Sequence, residues 1–232
     1  PKRPVLFFSD LHADRKAFVA SLVASGGVRR TGPGVMNFRL TKLGRQATFI
    51  IGGDCFDKGP HNLKLLRAVR RLIELDARVR ILAGNHDVRN LLGMRVVGAD
   101  VDHRNDHFFL RLGPKVVPLL VEIRDDYLTG RDAFSGIPDE QECRRRLMPG
   151  PDWFDAFPKI AAADLSPKQI EVELKRIRNK RKSFEPACHA AGLSMRHAYA
   201  AVMKWRELFL EPDGEFNWFF KRMRLGYHVG SF

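Results

Sequence analysis

The sequence predicts a layered α/β core, a sheet with flanking helices, carrying a mostly α-helical basic insertion or cap. Three observations predict it. Short apolar runs of strand length recur at Val5–Ser9, Thr48–Gly52 and Val79–Ala83. Segments with helical spacing of apolar residues separate them, which is the alternation expected of an α/β layered sheet. Beyond about residue 95 the strand-like runs give way to charged, helix-compatible sequence.

Val5–Ser9 reads as a buried strand that stops at Asp10. His12 to Ser25 then places Ala17, Phe18, Leu22 and Val23 near helical spacing, and Ser25-Gly26-Gly27 closes that helix. Thr31-Gly32-Pro33-Gly34 is a turn, and Val35–Leu40 is a strand expected to form a hairpin with the next one. That next strand, Thr48–Gly52, stops at Asp54. Leu63 to Leu75 is an amphipathic helix, with Leu66, Val69 and Ile73 facing in and Lys64, Arg67, Arg70 and Arg71 facing out. Val79–Ala83 is a third buried strand, ending at Asn85.

Farther along, Val116–Leu128 reads as helical. Ser166-Pro167 is a helix start, with Ser as cap and Pro in the first position, leading into Lys168–Lys182. Further helices are expected over Ser194–Leu210 and Glu215–Met223. The expected division is a core over residues 1–130 and a helical cap or insertion over residues 131–232.

The bulk composition narrows the class. The 232 residues carry a net charge of +13, and 44% of them are hydrophobic, which suits a folded domain better than a disordered one. The sequence pI of about 10.1 favours an anionic partner: nucleic acid, a nucleotide, a phosphoprotein or a membrane surface. No apolar run is long enough for a membrane span. Cys55, Cys143 and Cys188 are far apart and odd in number, so a disulfide framework is not expected and a reducing, cytoplasmic location is. The chain starts at Pro1, so a trimmed N-terminus is expected.

Three segments carry chemistry: FFSDLHAD with Asp10 and His12, GGDCFDKGP with Asp54, Asp57 and Lys58, and AGNHD with Asn85, His86 and Asp87. Each closes a predicted strand, where α/β sheets place ligand sites. Asp10 and His12 lie two apart and can reach one point. Asp54 has two oxygens and can bridge two cations, while Asn85 offers a neutral oxygen. Mixed carboxylate, imidazole and amide donors suit manganese, iron or zinc better than calcium or magnesium. Two such ions about 3.5–4 Å apart clamp a phosphate and acidify a bridging water.

These segments resemble the calcineurin-like metallophosphoesterase superfamily. GDCFDKGP followed by a helix and ILAGNHD is similar to its phosphoprotein-phosphatase branch, bacterial and diadenosine-tetraphosphatase-like members included. The resemblance covers roughly residues 4–92. It implies two divalent transition-metal ions, manganese first and iron, zinc, nickel or cobalt as alternatives. It assigns Asp10 and His12 to the first metal and Asp54 to the bridge. Asn85 is assigned to the second metal and the phosphate. His86 would protonate the leaving oxygen with Asp57 orienting it, and Lys58, where the branch usually has Arg, would attract the substrate phosphate as a point charge.

The family completes its site with later histidines, one of them in a Gly-His motif, and His103, His107, His189, His197 and His228 do not repeat that pattern. Gly230-Ser231-Phe232 reads as the start of another strand, so the chain is expected to be the N-terminal portion of a longer protein. If it is whole, His189 or His228 is expected to fill the site. His103 and His107 are expected in a solvated loop, the basic runs Arg144–Arg146 and Lys175–Lys182 on solvated helix faces, and Phe216, Trp218, Phe219 and Phe220 in a core.

The expected activity is metal-dependent hydrolysis of a phosphomonoester, a phosphoprotein or small phosphorylated metabolite, through a metal-activated hydroxide. The alternatives are a phosphodiesterase or nuclease of the same superfamily, and a catalytically weak module that binds nucleic acid or a partner protein.

Overall fold

A computed structural model of the chain describes residues 3–98, 105, 107–130 and 132–228. His103 and the expected strand start at Gly230-Ser231-Phe232 lie outside the described residues.

Two compact units form, one from residues 1–88 with 215–232 and one from residues 89–214. These units cut the chain elsewhere than at residue 130, because the segment after 215 returns to the first sheet as a strand.

The first unit is built on a parallel sheet. Strands β1 (Val5–Phe8), β4 (Thr48–Ile51), β5 (Arg78–Leu82) and β6 (Met223–Arg224) lie side by side in that order. Val5 pairs in register with Thr48, Thr48 with Arg78, and Ile81 with Met223. Parallel neighbours need a crossover. Helix α1 (Arg15–Ala24) lies in the first crossover and α3 (Asn62–Glu74) in the second. Asp14 caps α1 by accepting the Ala17 N–H at 2.9 Å, one reason the helix starts later than its apolar spacing suggests. Helix α3 buries Leu65, Leu66, Val69 and Leu72, and β4 is buried along its whole length. Phe8 meets Phe18 edge to face at 5.9 Å and stacks on Phe49 at 6.4 Å.

Three sequence expectations are corrected here. The segment ending at Leu40 pairs backward: β2 (Val28–Arg30) is antiparallel to β3 (Phe38–Leu40), while a short helix α2 (Lys42–Gln46), capped by Thr41, separates β3 from β4. Strand β1 is not buried on both faces, since Val5 and Phe7 are exposed and nothing among the described residues covers that side. The last expected helix shortens to α11 (Asn217–Arg222), because Met223 and Arg224 spend their backbone groups on β5. Phe216 and Phe219 are fully buried, and Phe56 packs against Phe219 and Phe220, so this aromatic cluster is core.

The second unit is helical. It holds most of α4 (Asn85–Val96), then α5 (His107–Leu112), α6 (Val117–Tyr127), α7 (Glu140–Leu147), α8 (Pro151–Ala161), α9 (Pro167–Ala190) and α10 (Met195–Leu210). Ser166 and Gln169 form a reciprocal capping box at the start of α9, and Ser194 caps α10. Helix α10 buries Ala198, Ala201, Val202, Trp205 and Phe209, so it is the central stave of the unit. The arginines of α7 are tied down: Arg144 pairs with Glu185, and Arg146 with Glu142 and Tyr199. His107 is buried, not solvated, its ring 5.0 Å from that of Trp153 and 5.1 Å from that of Phe157. No helix among the described residues is long and apolar enough to cross a membrane.

Candidate metal centre and active site

Three loops meet at the carboxyl ends of β1, β4 and β5. The β1–α1 and β4–α3 loops run together through backbone bonds. The His12 N–H donates to the Asp54 carbonyl and the Ala13 N–H to the Cys55 carbonyl, each at 2.8 Å. The chain needs unusual conformations to do this. Asp10, His12, Ala13, Asp54, Asp57 and Lys58 all have positive φ, from 41° to 70°. Asp and His tolerate that region better than most residues, and Ala and Lys do so at a cost on the order of 1 kcal/mol. Six such residues in two short loops mark a place where geometry has been imposed on the backbone.

Glycine makes the third loop fit. A Cβ on Gly84 would fall 2.2 Å from Asp54 Oδ1, so only glycine lets the β5–α4 turn approach that carboxylate. Asp54 Oδ1 in turn accepts the His86 N–H at 2.9 Å.

Asp10, His12 and Asp54 each present a ligand atom, and these atoms lie within 4.8 Å of one another. His12 Nδ1 faces the Phe56 carbonyl at 3.3 Å, which favours a proton on Nδ1 and leaves the Nε2 lone pair directed at the cluster. That nitrogen is 3.7 Å from Asp10 Oδ1. Two carboxylates and one imidazole gathered this closely fit a divalent transition ion. Lys58 Nζ lies 2.7 Å from His12 Nε2, so an ammonium stands at the same nitrogen.

Beside the cluster is a buried pair. His86 Nδ1 donates to Asp57 Oδ2 at 2.8 Å, and both side chains are nearly enclosed. The Asp57 N–H donates to Asn62 Oδ1 at 3.1 Å, which fixes the acid from behind. The His86 ring meets the His12 ring edge to face at 5.1 Å. In an imidazole whose Nδ1–H is held by a carboxylate, Nε2 is the atom through which a proton is transferred.

Asn85 opens α4 between Gly84 and His86 and is exposed. His189 and His228 join no metal-sized group among the described residues. His189 lies 3.9 Å from Glu185 one turn away on α9, and His228 lies beside Arg80 and Tyr227.

The residue that sequence reasoning left without a role is Asp87. It is fully buried, and its carboxylate accepts the N–H groups of Asp54 at 2.8 Å, Cys55 at 2.9 Å and Gly84 at 3.0 Å. It therefore stitches the β4–α3 loop to the β5–α4 turn directly behind the Asp10, His12 and Asp54 cluster. Burial pushes its carboxyl up to about 6, with the three N–H bonds pulling the other way and Asp54 adding to the rise. The signal was present in the spacing, since an acid three residues after the Gly84 turn is where a helix-start carboxylate reaches back to open N–H groups.

A hydrolase centred on metal ions and acting on phosphate esters is the class this arrangement defines. The family model for calcineurin-like phosphoesterases matches residues 3–164, and the chain belongs to that family. No curated protein and no solved structure matched it. The match starts at β1 and extends well into the helical unit, so the family assignment does not rest on the three donor loops alone.

Proposed function

We propose that the protein is a phosphomonoesterase, acting on a phosphoprotein or a small phosphorylated metabolite. The observation that carries this reading is the buried Asp57–His86 pair placed beside the Asp10, His12 and Asp54 cluster. In this reading Asp10 and His12 would hold a first divalent ion, Asp54 would serve both ions, and Asn85 would serve a second ion and the phosphate. When bound, such ions supply Lewis acidity and lower the pKa of coordinated water.

The chain's own residues do the rest. His86 gives a proton to the departing ester oxygen, and Asp57 holds its ring in the one orientation and tautomer that can do so. Lys58, exposed at the mouth of the cluster, draws in the dianionic terminal phosphate. A monoester carries more negative charge than a diester at the reacting phosphorus, which favours this cation. In this proposal the location is cytoplasmic. A net charge of +13 supports a second reading, a phosphodiesterase or nuclease in the same family.

The test compares p-nitrophenyl phosphate with bis-p-nitrophenyl phosphate in the presence of manganese. The expected result is manganese-stimulated turnover of the monoester, a slower diester reaction, and loss of activity in Asp54→Asn. Faster diester cleavage would replace the proposal with the nuclease reading. No stimulated turnover, or full activity in Asp54→Asn, would remove both.

A further inference from the structure

The first unit carries a cavity of about 580 Å³ at the β6 edge of its parallel sheet, formed by β5, the end of α11 and the chain that follows β6. That size is common for small-molecule sites. It shares no residue with the Asp10, His12 and Asp54 cluster. Arg80, Lys221, Arg222, Arg224, Tyr227 and His228 line it, and no carboxylate among the described residues does.

Strand register brings these cations together. Met223 stands opposite Ile81 and Arg224 opposite Leu82. Alternation along the two strands then puts Arg80 and Arg224 on one face of the sheet. Lys221 and Arg222 end α11 immediately before β6. The chain after β6 sets the Tyr227 ring against Arg80, with the guanidinium carbon 5.4 Å from the ring centroid. Arg80 Nη1 also donates to the Val79 carbonyl at 3.2 Å. This half-buried guanidinium is therefore held in place by a ring and a carbonyl, neither of which neutralises it.

The lack of neutralisation is local. Elsewhere in the same unit arginines meet acids: Arg67 pairs with Glu215, and Arg70 and Arg71 with Glu74. Around the cavity, Arg80, Lys221, Arg222 and Arg224 form no ion pair among the described residues. A hollow lined by one sign of charge focuses its potential and concentrates the opposite ion. Three of these four cations are guanidiniums, whose planar forks match phosphate oxygens two at a time. Cations spread around a cavity of this size are met by several linked phosphates more completely than by one.

We propose that this cavity is a second ligand site, for a run of adjacent phosphate groups held by Arg80, Lys221, Arg222 and Arg224. A free oligophosphate chain and the backbone of a single-stranded nucleic acid both present that chemistry. The site binds and does not cleave, and it stands independently of the phosphomonoesterase reading.

The experiment is calorimetric titration of the full chain, stripped of metal on a chelating resin, with sodium tripolyphosphate and separately with an oligouridylate. Expected is binding that weakens as sodium chloride rises, with a loss of at least about tenfold when Arg80→Gln and Arg224→Gln are combined. Lys221→Gln with Arg222→Gln, both exposed, should give a several-fold loss, and unchanged thermal unfolding midpoints verify that each variant is folded. Arg29→Gln with Arg39→Gln removes the same charge from the exposed side of the β2–β3 hairpin and should leave binding unchanged. Tighter binding of the oligouridylate would assign the phosphates to a nucleic-acid strand, and tighter binding of tripolyphosphate to a free chain. Absence of binding by both probes at millimolar concentration overturns the proposal. So does binding that survives both cavity variants, an equal loss in the hairpin variant, which would reduce the effect to net charge, or citrate binding as tightly as tripolyphosphate, which would remove phosphate from recognition.

Discussion

Replacing Asp87 with Asn separates the charge of this carboxylate from its role as an anchor. Asp87 is fully buried and holds three backbone N–H groups from two loops. Burial raises its pKa from 3.8 to about 6. A carboxyl whose folded pKa is raised contributes its stability below the unfolded pKa and loses it as pH climbs through the folded one. The window therefore opens at 3.8 and closes just above 6. At about 1.4 kcal/mol per pKa unit, the loss across it is about 3 kcal/mol. Asn cannot ionise, so the variant lacks that slope. Urea midpoints measured in EDTA from about pH 4 to about pH 8 should show the wild type falling relative to Asp87→Asn by about 3 kcal/mol. Asp87→Ala gives the complementary result. It leaves all three N–H groups without their acceptor, at about 1–3 kcal/mol for each one that stays buried and unpaired, and so lowers stability at every pH. Parallel pH profiles for the wild type and Asp87→Asn would refute the reasoning, because a carboxylate that is not held up by burial produces no such divergence.

Three further outcomes are expected. Asp57→Asn should lower kcat by about 10²-fold on phenyl phosphate and far less on p-nitrophenyl phosphate, whose leaving group needs little protonation, with manganese affinity by calorimetry unchanged. An equal loss on both esters would count against His86 as the proton donor. Glu140 accepts the Met195 and Arg196 N–H groups at 2.6 and 2.9 Å and so caps α10 from another helix. Burial raises its carboxyl, but these bonds and Ser194 outweigh that and hold it below the ordinary value. Its contribution is thus present at neutral pH and lost as pH falls through the lowered pKa, and Glu140→Ala should cost about 1–2 kcal/mol in urea unfolding at pH 7. Cys55, Cys143 and Cys188 are buried, with burial pushing the Cys188 thiol up to about 12 and the Cys55 thiol well above 9.0. None should react with Ellman's reagent in the native protein, and all should react in urea.

The parts of the fold that sequence made legible are those decided locally. An apolar run such as Phe49–Ile51 has one use in a folded chain, and Ser166-Pro167 or Ser194 announces a helix through its own side-chain chemistry. The parts that were not legible are decided at a distance. Met223-Arg224 has no strand pattern, and it becomes β6 only because β5 offers an open edge. Val28–Arg30 is too short to read until Phe38–Leu40 pairs with it. His107 looks solvated beside its charged sequence neighbours, and only the fold brings Trp153 and Phe157 against its ring.

The same division runs through the candidate site and separates the types of its residues from their placement. Asp10, His12, Asp54, Asp57 and His86 announce themselves by type and by position at strand ends. What holds them is a set of bonds between loops far apart in sequence. His12 leans on Asp54, Ala13 on Cys55, and Asp87 on Asp54, Cys55 and Gly84. Left-handed backbone at Ala13 and Lys58 is unfavourable in isolation and persists only because these bonds over-determine the loops. Donor identity is thus a property of single residues, while donor placement is a property of three loops at once. A substitution at Gly84 or Asp87 should therefore disable the centre as thoroughly as one at Asp54, although neither residue needs to touch an ion or a substrate.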